Sequence, residues 1–122
     1  STPFMIPAGM ITDSSHIRLI ANTAAINTAA TKTIRPYSLT TSGFVAPAQT
    51  GTTFPCQSRE WELSMINATQ IVGQNTTPGG SALSGAITFN PAADNIITLQ
   101  LTVSAAQDFI ALISVPKMVI FR

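Results

Sequence analysis

From Ile96 to Ser104 apolar and polar residues alternate without a break, Ile97, Leu99, Leu101 and Val103 against Thr98, Gln100, Thr102 and Ser104. A period of two is the mark of a half-buried strand. His16 to Asn22 repeats the pattern, setting Ile17, Leu19 and Ala21 against His16, Arg18 and Ile20. Arg59 to Ile66 does so again, with Trp61, Leu63 and Met65 inward and Glu60, Glu62 and Ser64 outward. A helix from Ser58 competes there, since Trp61 and Met65 share a helical face. Leu63 would leave that face, however, and Thr69 to Val72 downstream favours a strand.

Weaker segments fill the gaps. Thr31 to Arg35 reads as a strand ended by Pro36, and Leu83 to Phe89 places Leu83, Gly85, Ile87 and Phe89 on one side. Phe109 to Val115 is an apolar run, bounded by Asp108 and Pro116, whose length suits a strand buried on both faces. Lys117 to Arg122 then reads as an edge strand or a continuation past a bulge, with Met118 and Ile120 on one face. Residues 82–122 therefore read as an antiparallel meander. The loops Asn90 to Asn95 and Asn75 to Ser81 are rich in turn residues. Pro36 to Cys56 is the longest irregular stretch, of a kind that is functional or held by contacts. Asn22 to Ile26 is nearly duplicated by Asn27 to Thr31, a low-complexity loop or flat strand that could serve as a pairing edge. With about eight short strands and no convincing amphipathic helix, the chain is expected to be all-β, an antiparallel β-sandwich or jelly roll forming one domain over residues 1–122. Residues 1–8, apolar and broken by Pro3 and Pro7, read equally as an arm that docks on a neighbour or as a first edge strand.

Composition changes the picture in one respect. The 122 residues are 45% hydrophobic and only 9% charged, against about 25% charged in ordinary soluble domains. A folded chain of this length exposes roughly 6,300 Å², so its charges stand about 570 Å² apart. Such a surface suits being covered by neighbours. Net charge is +1 with no cluster of Lys or Arg, which argues against nucleic acid and acidic membranes as partners. No apolar window reaches the length of a membrane span, and the start of the chain lacks the basic and apolar regions of a signal peptide. Ser1 fits removal of an initiator Met or cleavage of a signal. Cys56 is the single cysteine and reads as a small buried or half-buried thiol.

Candidate chemistry is sparse. His16 and Cys56 alone cannot form a zinc site, the aspartates lie apart without a calcium-loop spacing, and no cofactor motif occurs. His16 follows Asp13-Ser-Ser, but sequence neighbours rarely form a catalytic triad, and no nucleophile elbow is present. Glu60 and Glu62 share a strand face at about the separation used by inverting glycosidases. Cross-strand pairing with Arg18 and His16 is the simpler use. Asn67-Ala-Thr69 and Asn75-Thr-Thr77 match the glycosylation pattern by chance in so Thr-rich a chain. Trp61 reads as core, which leaves Tyr37 as the other candidate for a sugar platform. No catalytic, cofactor or metal residue is assigned, and an enzyme is not expected.

A neutral β domain of this kind suits a structural subunit. Through the Thr-, Ala- and Asn-rich half with Asn22 to Thr31, the strand Ile96 to Ser104 and the closing segment Phe109 to Arg122, the chain resembles the small β-sandwich proteins of tailed bacteriophages, the capsid decoration (cement) proteins and fibre knobs. The resemblance implies a homo-oligomer, a trimer above all, on a virion beside the major capsid protein, without catalysis. A fibre or spike receptor-binding module and a secreted, extracellular carbohydrate-binding module are the alternatives. Expected oligomer or lattice contacts are Phe4, Ile6, Phe109, Ile110, Leu112, Met118 and Phe121. The uncharged C-terminal block is the surface expected to be buried by other subunits.

Overall fold

A computed structural model describes residues 3–25, 28–51, 57–75, 84–106, 110–112 and 115–122, with backbone alone for Ala25, Gln57, Ala111 and Leu112. Among them eleven strands and no helix occur: β1 (Phe4–Ile6), β2 (His16–Ala25), β3 (Lys32–Ser38), β4 (Gly43–Phe44), β5 (Gln49–Gly51), β6 (Gln57–Asn67), β7 (Gln70–Asn75), β8 (Ile87–Thr88), β9 (Asn95–Val103), β10 (Ile110–Leu112) and β11 (Lys117–Phe121). They form two antiparallel sheets packed face to face, so the protein is an all-β sandwich. The first sheet runs β1-β9-β3-β4, with β5 also on β3; the second runs β10-β2-β6-β7-β8, with β11 also on β2.

Alternation sets which side chains meet between the sheets. Ile17, Leu19 and Ala21 of β2 and Trp61, Leu63 and Met65 of β6 are buried against Ile34, Ile97 and Leu99 of the first sheet. The helical reading of Arg59 to Ile66 is thereby excluded, because β6 pairs with β2 from His16↔Ser64 to Thr23↔Gln57.

Three expectations fail for identifiable reasons. Residues 82–122 are not a meander. β8 pairs with β7, β9 crosses to the first sheet between β1 and β3, and β10 and β11 return to β2. Alternation specifies a strand but not its sheet. Ile97 and Leu99 of β9 are buried in this chain's own core, while the equally uncharged Gln100 and Thr102 lie exposed on its outer face. Second, Pro36 does not end β3, which continues to Ser38. The Pro36 carbonyl accepts from Val45 N at 3.2 Å, and in an antiparallel strand a residue's nitrogen faces the same side as its carbonyl. The missing N–H therefore falls in the gap between β4 and β5, and the ladder to β9 is spared. Third, among the described residues of the run from Phe109 to Val115, Ile110–Leu112 pair with β2, Ile110 is half-buried, and Val115 is 76% exposed rather than buried.

The repeat divides as well. The described part of its first copy, Asn22 to Ala25, lies in β2, where Thr23 is paired with both β6 and β10 and Ala24 and Ala25 with β10. Cys56, Leu83 and Phe109 fall outside the described residues.

Candidate interaction surfaces

The described part of the long stretch after Pro36, up to Gly51, is held by the domain itself. Residues 45–48 form a strap from β4 to β5 across the edge of the sandwich, and three side chains from three strands take its successive carbonyls. Arg35 Nε of β3 donates to Ala46 O at 2.7 Å, Trp61 Nε1 of β6 to Pro47 O at 2.9 Å, and Asn75 Nδ2 of β7 to Ala48 O at 3.4 Å. Gln49 Nε2 reaches Glu60 O at 3.4 Å. Val45 and Ala46 are buried, and a Cβ on Gly73 of β7 would lie 2.1 Å from Val45 O. Only glycine admits the strap so close. Trp61 thus has a partner for its indole N–H and no free ring face, which removes it as a sugar platform.

The opposite lateral edge is open. Because β7 packs under the strap, β1 of the first sheet and β10 and β11 of the second lie together on the far side. There β11 pairs with β2 alone among the described strands, from Lys117↔Ile20 to Phe121↔His16. Its outer backbone groups meet no described strand, and Met118, Ile120, Ile110 and Phe4 are only half-buried although they pack against the core. Val119 and Phe121 are 41% and 40% exposed. Four of the expected contact residues, Phe4, Ile110, Met118 and Phe121, are therefore gathered at one edge. Ile6 is not among the exposed ones: at 1% exposure it belongs to the core, and β1 pairs with β9 rather than extending as an arm. Leu112 pairs with Thr23, and its side chain lies outside the description, as does all of Phe109.

The outer face of the second sheet carries Arg18, Glu60, Glu62 and Lys117. Arg18 Nε donates to Glu62 Oε1 at 2.6 Å, as the alternation predicts, and His16 Nε2 stands 4.0 Å from Glu62 Oε2. The hydrogen bond to Glu62 and its charge raise the Arg18 pKa further. The His16 ring stacks on Phe121 with centroids 4.4 Å apart, and Arg18 Cζ lies 5.7 Å from the same ring. A Glu62 engaged in this way is poorly placed to act as a glycosidase base.

Two buried cations escaped the sequence reading. Lys32 donates through Nζ to Thr28 O and Oγ1 at 3.1 and 2.9 Å, and Arg59 through Nε to Thr23 Oγ1 at 3.3 Å. Desolvation pushes the Arg59 guanidinium pKa down. Their positions were readable, since Lys32 is in phase with Ile34 and Arg59 with Trp61. No group of three or more His, Cys, Asp or Glu able to hold a metal occurs among the described residues, and no described helix is long and apolar enough to cross a membrane. Comparison with known proteins finds no matching family model, curated protein or solved structure.

Proposed function

We propose that this protein is a non-enzymatic structural subunit that self-associates, and that its setting is a virion, where it acts as a capsid decoration protein beside the major capsid protein. The observation supporting this reading is the open edge. A strand reading Lys-Met-Val-Ile-Phe, with outer backbone groups that no described strand meets and half-covered Met118 and Ile120 beneath it, is a template for another chain. Isolated sandwiches usually blunt such an edge with charge, bulges or a cover; here Pro116 and Lys117 stand at one end and Arg122 at the other, and Met118 to Phe121 between them carry no charge.

A homo-oligomer hides the edge. The trimer expected from the resemblance needs β11 of one copy to meet a different edge of the next, whereas β11 meeting β11 gives a two-fold dimer. Light scattering on the purified protein, followed by co-sedimentation with purified phage shells, tests the proposal. An oligomer that co-sediments supports it. A monomer that ignores shells overturns it, and retention of that monomer on a glycan column would favour the carbohydrate-binding alternative.

A further inference from the structure

The outer face of the first sheet carries a feature independent of the open edge. Arg35 is fixed there from two sides. Its Nε donates to Ala46 O, and its Cζ stands 4.1 Å from the centroid of Phe44. Tyr37, two residues along the same face, meets Phe44 edge to face with centroids 5.2 Å apart and planes at 78°. Neither the Arg35 Nη groups nor the Tyr37 hydroxyl has a hydrogen-bond partner among the described residues. No carboxylate occupies an outward position on this sheet among those residues, whereas Arg18 on the other sheet is neutralised by Glu62. A planar guanidinium held at Nε and across one face keeps its Nη edge directed outward, as a ready fork for a carboxylate.

The surroundings select the rest of the ligand. Gln100 is the cross-strand partner of Arg35 and Thr98 that of Tyr37, so neutral amide and hydroxyl groups flank the fork. One cation without neighbours does not make a nucleic-acid site, which needs several phosphate contacts. An extended acidic peptide requires a free sheet edge, and β3 lies between β9 and the β4–β5 side. We propose that Arg35, Tyr37, Phe44 and Gln100 form a binding site for a carboxylate-bearing sugar of the uronic or sialic acid class. The carboxylate sits on the Arg35 fork, the sugar C–H surface rests against the Tyr37 and Phe44 rings, and the ring hydroxyls exchange hydrogen bonds with Tyr37 Oη and the Gln100 amide.

Titration of isotopically labelled protein with sodium glucuronate and with N-acetylneuraminate, followed by amide shifts in NMR, tests the site. Glucose and acetate serve as controls. Saturable shifts confined to Arg35, Tyr37, Phe44, Gln100 and their neighbours are expected for at least one acid sugar, with glucose and acetate each at least about tenfold weaker. Arg35→Gln should abolish binding, and Tyr37→Phe and Gln100→Ala, which leave the strap's bond to Arg35 in place, should each weaken it several-fold. Absence of saturable shifts with both acid sugars overturns the proposal. So does glucose binding equally well, acetate binding equally well (an adventitious anion only), a triglutamate peptide binding more tightly than the sugars, or shifts that map elsewhere.

Discussion

At one lateral edge of the sandwich the carbonyls of Ala46, Pro47 and Ala48 are caught by Arg35, Trp61 and Asn75 from three different strands. At the other, β11 ends the second sheet with a row of backbone groups that no described strand meets. The same chain thus closes one edge with its own side chains and leaves the other to be covered. The closed edge contributes stability within the monomer, because buried polar groups there are satisfied and the strap packs against Gly73 at a distance no side chain allows. The open edge contributes little within the monomer, and under the proposed self-association a second copy supplies the missing strand. Substitutions at the closed edge should change folding, and substitutions at the open edge should change assembly.

The largest effect is expected at Trp61. Trp61→Ala removes the largest buried side chain and orphans the Pro47 carbonyl, and should cost about 3–5 kcal/mol in denaturant unfolding. A loss under about 1 kcal/mol would mean that the strap is not held by the core. Gly73→Ala comes next. Its Cβ drives into the strap backbone, and a destabilisation of about 2–3 kcal/mol is expected from overpacking, read as a lower denaturation midpoint with unchanged oligomeric mass per folded molecule. Val119→Glu should leave monomer stability within about 0.5 kcal/mol, because the side chain faces solvent opposite Arg18, while setting like charges beside each other where the β11 edges of two copies meet and weakening self-association. The smallest effect belongs to the Arg18–Glu62 pair. Reversing either charge should lower the melting temperature slightly, reversing both should restore it, and added salt should erase the difference. Failure of the double variant to recover would show that the ladder across β2 and β6 carries no pairing energy.

Much of this was legible because alternation constrains faces. The inward sets of β2, β6 and β9, the outward pairing of Arg18 with Glu62, and the shared face of Met118 and Ile120 on β11 all follow from a period of two, while Pro116 points to an edge strand or a continuation past a bulge. The parity that places Ile34 and Trp61 inward also places Lys32 and Arg59 there, so their burial follows from the same reasoning. What alternation could not supply is which sheet a strand joins. Nothing local in Ile96 to Ser104 says that it crosses to lie between β1 and β3. Nor does Pro36 announce that its missing donor points into a gap; that depends on where β4 and β5 stop. The contacts of the strap pair residues far apart along the chain, Trp61 with Pro47 and Asn75 with Ala48, and become visible only once both sheets exist. The Arg35 site was hidden for the same reason, since Phe44 reaches Arg35 only through the turn that brings β4 back onto β3.

The central claim, that one edge is finished internally and the other by a copy of the same chain, is tested most directly by sedimentation velocity across a concentration series on the wild-type protein and on Val119→Glu. The account predicts a concentration-dependent oligomer for the wild type and a folded monomer for the variant, with the same melting temperature at low concentration. A wild-type protein that stays monomeric at every concentration, or a variant that assembles as the wild type does, would contradict it.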